Sequence, residues 1–175
     1  MRILRHRHSV QALRPRGFTL IEIMLVVVIL SIAAMIAIPF AASGAASQLK
    51  AAATILAADL EYAKSMAISR GQDYWVEFNT STNSYSIKDA SDTVITNPLT
   101  GKQYIINFSS DNRFSRVDIT SVNFDATGST VGFDYLGSPQ HTGGDLNGAG
   151  EITLSAGGST LTVRIEPVTG YITIY

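Results

Sequence analysis

Arg16-Gly17-Phe18-Thr19-Leu20-Ile21-Glu22 is the stretch from which the rest of this 175-residue chain can be read. Arg2, Arg5, Arg7, Arg14 and Arg16 make the arm up to Gly17 strongly basic, and no acid interrupts it. An apolar run to Pro39 follows. Its one charge is Glu22, and the next charge along the chain is Lys50. Residues 1–17 therefore carry +5. The whole chain has 13 basic and 14 acidic residues, so residues 18–175 keep eight basic and 14 acidic, or −6. A short basic arm ahead of an apolar segment suits the cytoplasmic side of a membrane. The acidic remainder lacks the clustered Lys and Arg that a nucleic-acid backbone requires. The absence of cysteine excludes disulfides, thiolate chemistry and Cys-based metal sites.

A secretory signal is cut after its apolar region, at a small residue. Here the small-residue junction, Gly17-Phe18, lies before that region. A cut there would strip the arginines and leave the apolar segment on the mature chain. Phe18 to Ile38 is 21 residues with one charge, long enough to span a hydrocarbon core of about 30 Å as a helix. Thirteen of these positions are Phe, Leu, Ile or Val. At roughly −0.3 to −0.6 kcal/mol each they contribute on the order of −4 to −8 kcal/mol to insertion, against about +3 for a central acid. The run is therefore expected to insert despite Glu22. That carboxylate either snorkels to the interface or has a partner. The partner would be a new α-amine on Phe18 of a neighbouring copy, the two groups neutralising each other in lipid.

These residues resemble the prepilin cleavage motif of type IV pilins and type II secretion pseudopilins. The resemblance rests on a basic leader, Gly17 then Phe18, Glu22 at the fifth mature position and an unbroken apolar run. It implies that a prepilin peptidase cuts after Gly17 and N-methylates Phe18. It also implies that Glu22 pairs with another subunit's amino terminus during filament assembly, and that Pro39 is the proline that bends or loosens the helix. Independently of any family, Pro39 lacks an N–H and crowds the carbonyl of Met35, so a kink or soft spot is expected between Met35 and Gly44.

Beyond Gly44 the pattern predicts a soluble amphipathic helix. Leu49, Ala53, Leu56, Leu60, Ala63 and Ala67 form one face. Asp59, Glu61 and Lys64 read as a solvated face, and Gly71 as the stop. A continuous helix from Phe18 to Arg70 would be about 80 Å long. From Gln72 the period becomes two: Tyr74, Val76 and Phe78 alternate with Trp75 and Glu77. Asn83 and Ser84 lie in the polar stretch before Tyr85 and Ile87. Further strands are predicted at 103–108, 116–119, 131–136, 151–154, 160–165 and 171–175. The predicted fold is α+β, a long N-terminal helix packed on antiparallel β-sheets, pilin-like in architecture. Its expected parts are a leader (1–17), a long helix (18–70, with the membrane span at 18–39) and a β-rich periplasmic head (71–175). The stretch from Leu60 to Phe78, and Phe133-Asp134-Tyr135-Leu136-Gly137 with the glycine-rich loop after it, resemble the head of the GspH/FimT family.

Little catalytic chemistry is offered. Asp145-Leu146-Asn147-Gly148-Ala149-Gly150 has the start of a calcium loop, but Ala149 and Ala156 stand where ligands belong, so a plain turn is expected. His141 is the one histidine after the leader and has no nameable partner for general-base work. Trp75 reads as packing. Arg113 and Arg116 are too few for a DNA surface. The loop 137–150, with five glycines, is the expected place for partner contacts. The resemblance implies a structural subunit without cofactor, metal or catalysis. It would be a tip-proximal minor pseudopilin of a type II secretion pseudopilus, held in the inner membrane before assembly and partnered by prepilin peptidase and other pilins or pseudopilins. The alternative is a minor pilin of a type IV pilus, for assembly or DNA uptake. DNA-uptake relatives resemble one another in an arginine-rich tail, and this chain ends Gly170-Tyr171-Ile172-Thr173-Ile174-Tyr175.

Overall fold

The computed structural model describes residues 17–125 and 128–175, without the side chains of residues 36–43. Among these residues one helix, α1 (Leu20–Arg70), precedes ten strands. The chain divides between Pro39 and Phe40 into two compact units.

The first unit holds the start of α1. Thr19 sits ahead of the helix, and the backbone N–H groups of Glu22 and Ile23 both donate to its carbonyl, at 3.1 and 3.2 Å. The helix runs on through Pro39. The bend expected there involves side chains outside the described residues.

In the second unit α1 lays its apolar stripe against the sheets. Leu49, Leu56 and Leu60 are buried, and Ala45, Ala52, Ala53, Ala63 and Ala67 let the helix approach closely. Each buried leucine contributes about 1.5–3 kcal/mol relative to exposure. At the far end Gly71 adopts φ 65°, and the N–H groups of Gly71 and Gln72 converge on the carbonyl of Ala67. A left-handed residue closing the last turn is how such helices stop, and glycine adopts it without strain.

Six strands form one sheet: β1 (Tyr74–Asn79), β2 (Ser84–Asp89), β3 (Ile105–Asn107), β5 (Thr130–Phe133), β6 (Pro139–His141) and β7 (Gly144–Asp145), in the order β3-β2-β1-β5-β6-β7. The other sheet holds β4 (Asp118–Asn123), β8 (Gly150–Ala156), β9 (Ser159–Ile165) and β10 (Ile172–Ile174), in the order β10-β9-β8-β4. All pairings are antiparallel. The alternation places Tyr74, Val76, Phe78, Tyr85, Ile87, Val131 and Phe133 in the core beneath α1, and Trp75, Glu77, Lys88 and Thr130 on the other face. Ile152, Leu154, Val163 and Ile165 complete the core from the four-stranded sheet.

One turn residue ties the two sheets together. Asn83, at φ 54° in the β1–β2 hairpin, donates from Nδ2 to the carbonyl of Val117 at 2.6 Å. Its Oδ1 accepts the N–H of Ile119 at 2.7 Å, so a buried amide bridges the hairpin to the start of β4.

Three expectations are corrected. The strand predicted at 131–136 ends at Phe133, because Asp134 accepts backbone N–H groups from Leu136 and Ser138 and turns the chain. The segment 137–150 is not an open loop. It contains β6 and β7, buries Pro139 and Leu146, and is clamped where the N–H groups of Asn147 and Gly148 donate to the Asp125 carboxylate at 2.7 and 3.0 Å. Those inward-pointing donors belong to a turn rather than to a cation cradle. Asp59 is the third correction. It is buried rather than solvated, and it is described with the site below.

Candidate functional site

The residues singled out from the sequence gather at the start of α1. Gly17, Phe18 and Thr19 lie outside regular structure, immediately ahead of the first helical turn. A side chain built on Gly17 would meet nothing within 4 Å, and Phe18 is 76% exposed. Among the described residues, the Gly17–Phe18 bond thus lies in non-helical, exposed chain. Of the expected leader, 1–17, residues 1–16 lie outside the described residues.

Thr19 and Glu22 form a reciprocal cap. The Glu22 N–H donates to Thr19 Oγ1 at 3.3 Å, and the Thr19 N–H donates to Glu22 Oε2 at 3.5 Å. This Thr-x-x-Glu arrangement satisfies two of the donors that a helix start leaves unpaired. A cut before Phe18 leaves both members of the cap in place. It also leaves Glu22 Oε1 to accept from another donor.

Every Phe, Leu, Ile, Val and Met from Phe18 to Met35 is between 44% and 79% exposed. The exposed residues extend all round the helix, so this surface needs lipid or other helices to cover it. Among the described residues no helix is long and apolar enough to cross a membrane. The described side chains of the expected span stop at Met35, and residues 36–39, Pro39 included, have theirs outside the described set.

In the head, the solvated triad expected at Asp59, Glu61 and Lys64 separates. Glu61 and Lys64 do pair, at 2.8 Å, and Lys64 also donates to the carbonyl of Gly170 at 2.9 Å. Asp59 turns inward and is only 8% exposed. Tyr85 donates its hydroxyl to Asp59 Oδ2 at 2.7 Å, and Tyr104 donates to Oδ1 at 2.9 Å. Burial holds the Asp59 carboxyl above the ordinary carboxylate range, and the two phenol hydrogen bonds oppose that rise. Burial and the adjacent Asp59 push both phenols up. Tyr62 stacks on Tyr104 with ring centroids 5.6 Å apart. Asp59 stands three residues after Leu56 and four before Ala63, so helical spacing placed it on the buried stripe. Its charge alone argued otherwise.

The remaining candidates are structural in their surroundings. His141 Nδ1 accepts the N–H of Gly143 at 3.0 Å within its own hairpin. Arg113 pairs with Asp111 at 2.7 Å and lies over the Phe114 ring. Trp75 packs against Gly132, a contact that sequence reading missed.

Comparison with known proteins matches this arrangement in two segments. Residues 13–38 match the prokaryotic N-terminal methylation motif. Residues 52–169, more than half of the chain, match the family model described as type II transport protein GspH. No curated protein sequence matches the chain. Among solved structures, the minor pseudopilin EpsH of the type 2 secretion system of Vibrio cholerae is similar with a TM-score of 0.51 and 11% identity, over 73% of this chain and 96% of that one. The type IV minor pilin FimU of Pseudomonas aeruginosa PAO1 aligns with a TM-score of 0.49 and 17% identity, over 73% and 92% of the two chains. The buried stripe of α1, the two antiparallel sheets and the methylation motif at its head thus meet in one family, and the chain belongs to the type II transport protein GspH family.

Proposed function

We propose that this GspH-family chain is a structural minor pseudopilin of a type II secretion pseudopilus, close to its tip, which is cut between Gly17 and Phe18 and N-methylated on Phe18. Before assembly it sits in the inner membrane by its 18–39 segment, with leader 1–17 on the cytoplasmic side and head 71–175 in the periplasm. It then leaves the bilayer when that segment packs among the helices of other pseudopilins, with Pro39 marking the pliable point of the helix.

The observation that carries this reading is the uncovered apolar helix start with a carboxylate in its first turn. Such a surface is stable only in lipid or among like helices. Glu22, capped by its own chain through one oxygen, keeps the other for an incoming α-amine. That pairing removes the cost of a lone charge in an apolar surrounding. The family match over the head supports the type II system over a type IV pilus, which would use the same helix start. The work is assembly, with no catalytic step assigned to any side chain.

Glu22→Gln tests the pairing separately from the cap. Glutamine keeps the Thr19 cap but loses the charge. The variant is expected to insert and be cut normally yet be lost from sheared filaments, as is Glu22→Ala. Filaments containing Glu22→Gln at wild-type levels would refute the ion pair and leave the cap as the carboxylate's role.

A further inference from the structure

The face of the six-stranded sheet turned away from α1 carries two large apolar side chains, Ile105 on the edge strand β3 and Trp75 on β1. In the cross-strand row Lys88–Trp75–Gly132–Gln140, the indole lies down across β5. A Cβ on Gly132 would meet the Trp75 ring carbons at 2.5, 2.7 and 2.8 Å, so glycine is what permits that posture. Trp75 borders a cleft of about 270 Å³, close to the lower end of the ~300–1,000 Å³ usual for small-ligand sites. Glu77, Lys88 and Thr130 line it from the strands. Asp92 from the β2–β3 connection and Thr142 from the β6–β7 hairpin line it from two loops.

Among the described residues, the one cation in this cleft, Lys88, is already held between its two carboxylates. Lys88 Nζ lies 2.7 Å from Glu77 and 2.8 Å from Asp92. A cationic ligand would have to compete with a lysine in place, although the indole and two carboxylates would otherwise suit one. An anion would meet two carboxylates and a net charge of −1. A wholly apolar ligand would strip water from the ion pairs without replacing its hydrogen bonds. What stays available is an aromatic surface ringed by carboxylate acceptors, an ammonium donor, and two threonine hydroxyls that both donate and accept. A pyranose ring matches that inventory. Its C–H face would pack on the indole, with its vicinal hydroxyls positioned to donate to Glu77 and Asp92 and to accept from Lys88 and Thr130.

We propose that this cleft is a binding subsite for a neutral glycan, seated on Trp75 and independent of the assembly role of α1. Trp75 is the single tryptophan of the chain, so its emission reports this site alone. The test uses the full chain in a non-glycosidic detergent, titrated with maltohexaose, cellohexaose and chitohexaose. Tetralysine and tripolyphosphate serve as charged probes. At least one saccharide is expected to shift the emission saturably, with a dissociation constant at or below about 1 mM. Thr142→Val, on an exposed hairpin, and Glu77→Gln are each expected to weaken it at least about threefold, with the far-UV circular dichroism unchanged. The proposal is overturned if calorimetry and emission show no saturation by any saccharide up to about 10 mM. It is overturned equally if a charged probe binds more tightly than all three sugars, or if both variants, folded, bind as wild type.

Discussion

Replacing Asp59 with alanine removes the one acceptor shared by two buried phenols. Tyr85 is 1% exposed, and its hydroxyl meets Asp59 Oδ2 at 2.7 Å. Tyr104 is 8% exposed and meets Oδ1 at 2.9 Å. A buried hydroxyl left without a partner costs about 1–3 kcal/mol. Tyr85 belongs near the top of that range and Tyr104, closer to solvent, near the bottom, for about 2–4 kcal/mol together. Removing a carboxyl whose ionised form burial already disfavours returns part of this. A net loss of about 2–3 kcal/mol is expected. The diagnostic variant is Asp59→Ala with Tyr85→Phe and Tyr104→Phe. Deleting every polar partner together leaves nothing unsatisfied, so the triple variant should be about 1–2 kcal/mol more stable than Asp59→Ala alone. Urea unfolding of the full chain in detergent, followed by Trp75 emission, measures this as shifts in midpoint at constant slope. Two results would refute the reasoning. One is an Asp59→Ala variant within about 0.5 kcal/mol of wild type. The other is a triple variant no more stable than the single one.

The same carboxyl makes stability depend on pH. Its folded pKa lies above the unfolded value, so the native state holds the proton to higher pH. The contribution is therefore present in acid and is lost as pH rises from the ordinary carboxylate range through the raised folded value. The stability of wild type relative to Asp59→Asn should fall across that window and then level off; a flat difference would show that Asp59 does not titrate there. At the other end of the chain, Gly17→Leu puts a branched side chain beside the bond to be cut. The expected product is a full-length, arginine-bearing protein retained in the membrane fraction. An intact mass equal to that of the processed wild type, which begins at Phe18 and so lacks position 17, would contradict the cleavage assignment.

The start of the chain, the long helix and much of the strand pattern are decided by short-range rules. A basic arm, Gly17-Phe18 and an apolar run are legible because positive charge and hydropathy act residue by residue. The buried stripe from Leu49 to Ala67 is legible because helical neighbours recur every three or four residues. Gly71 is legible as a stop because few other residues accept its left-handed backbone. The tertiary structure decided what depends on residues far apart in the chain. Asp59 finds Tyr85 and Tyr104 at separations of 26 and 45 residues, so a charge that reads as solvated becomes a buried acceptor. β1 pairs with β5 across the intervening β2, β3 and β4, which sets Trp75 over Gly132 and makes the cleft. Asp125 captures Asn147 and Gly148 and turns an apparent loop into the anchored end of a sheet. Local propensity carries no record of such partners, because the energy of a buried polar group or a cross-strand contact resides in the pair and appears only when folding brings the pair together.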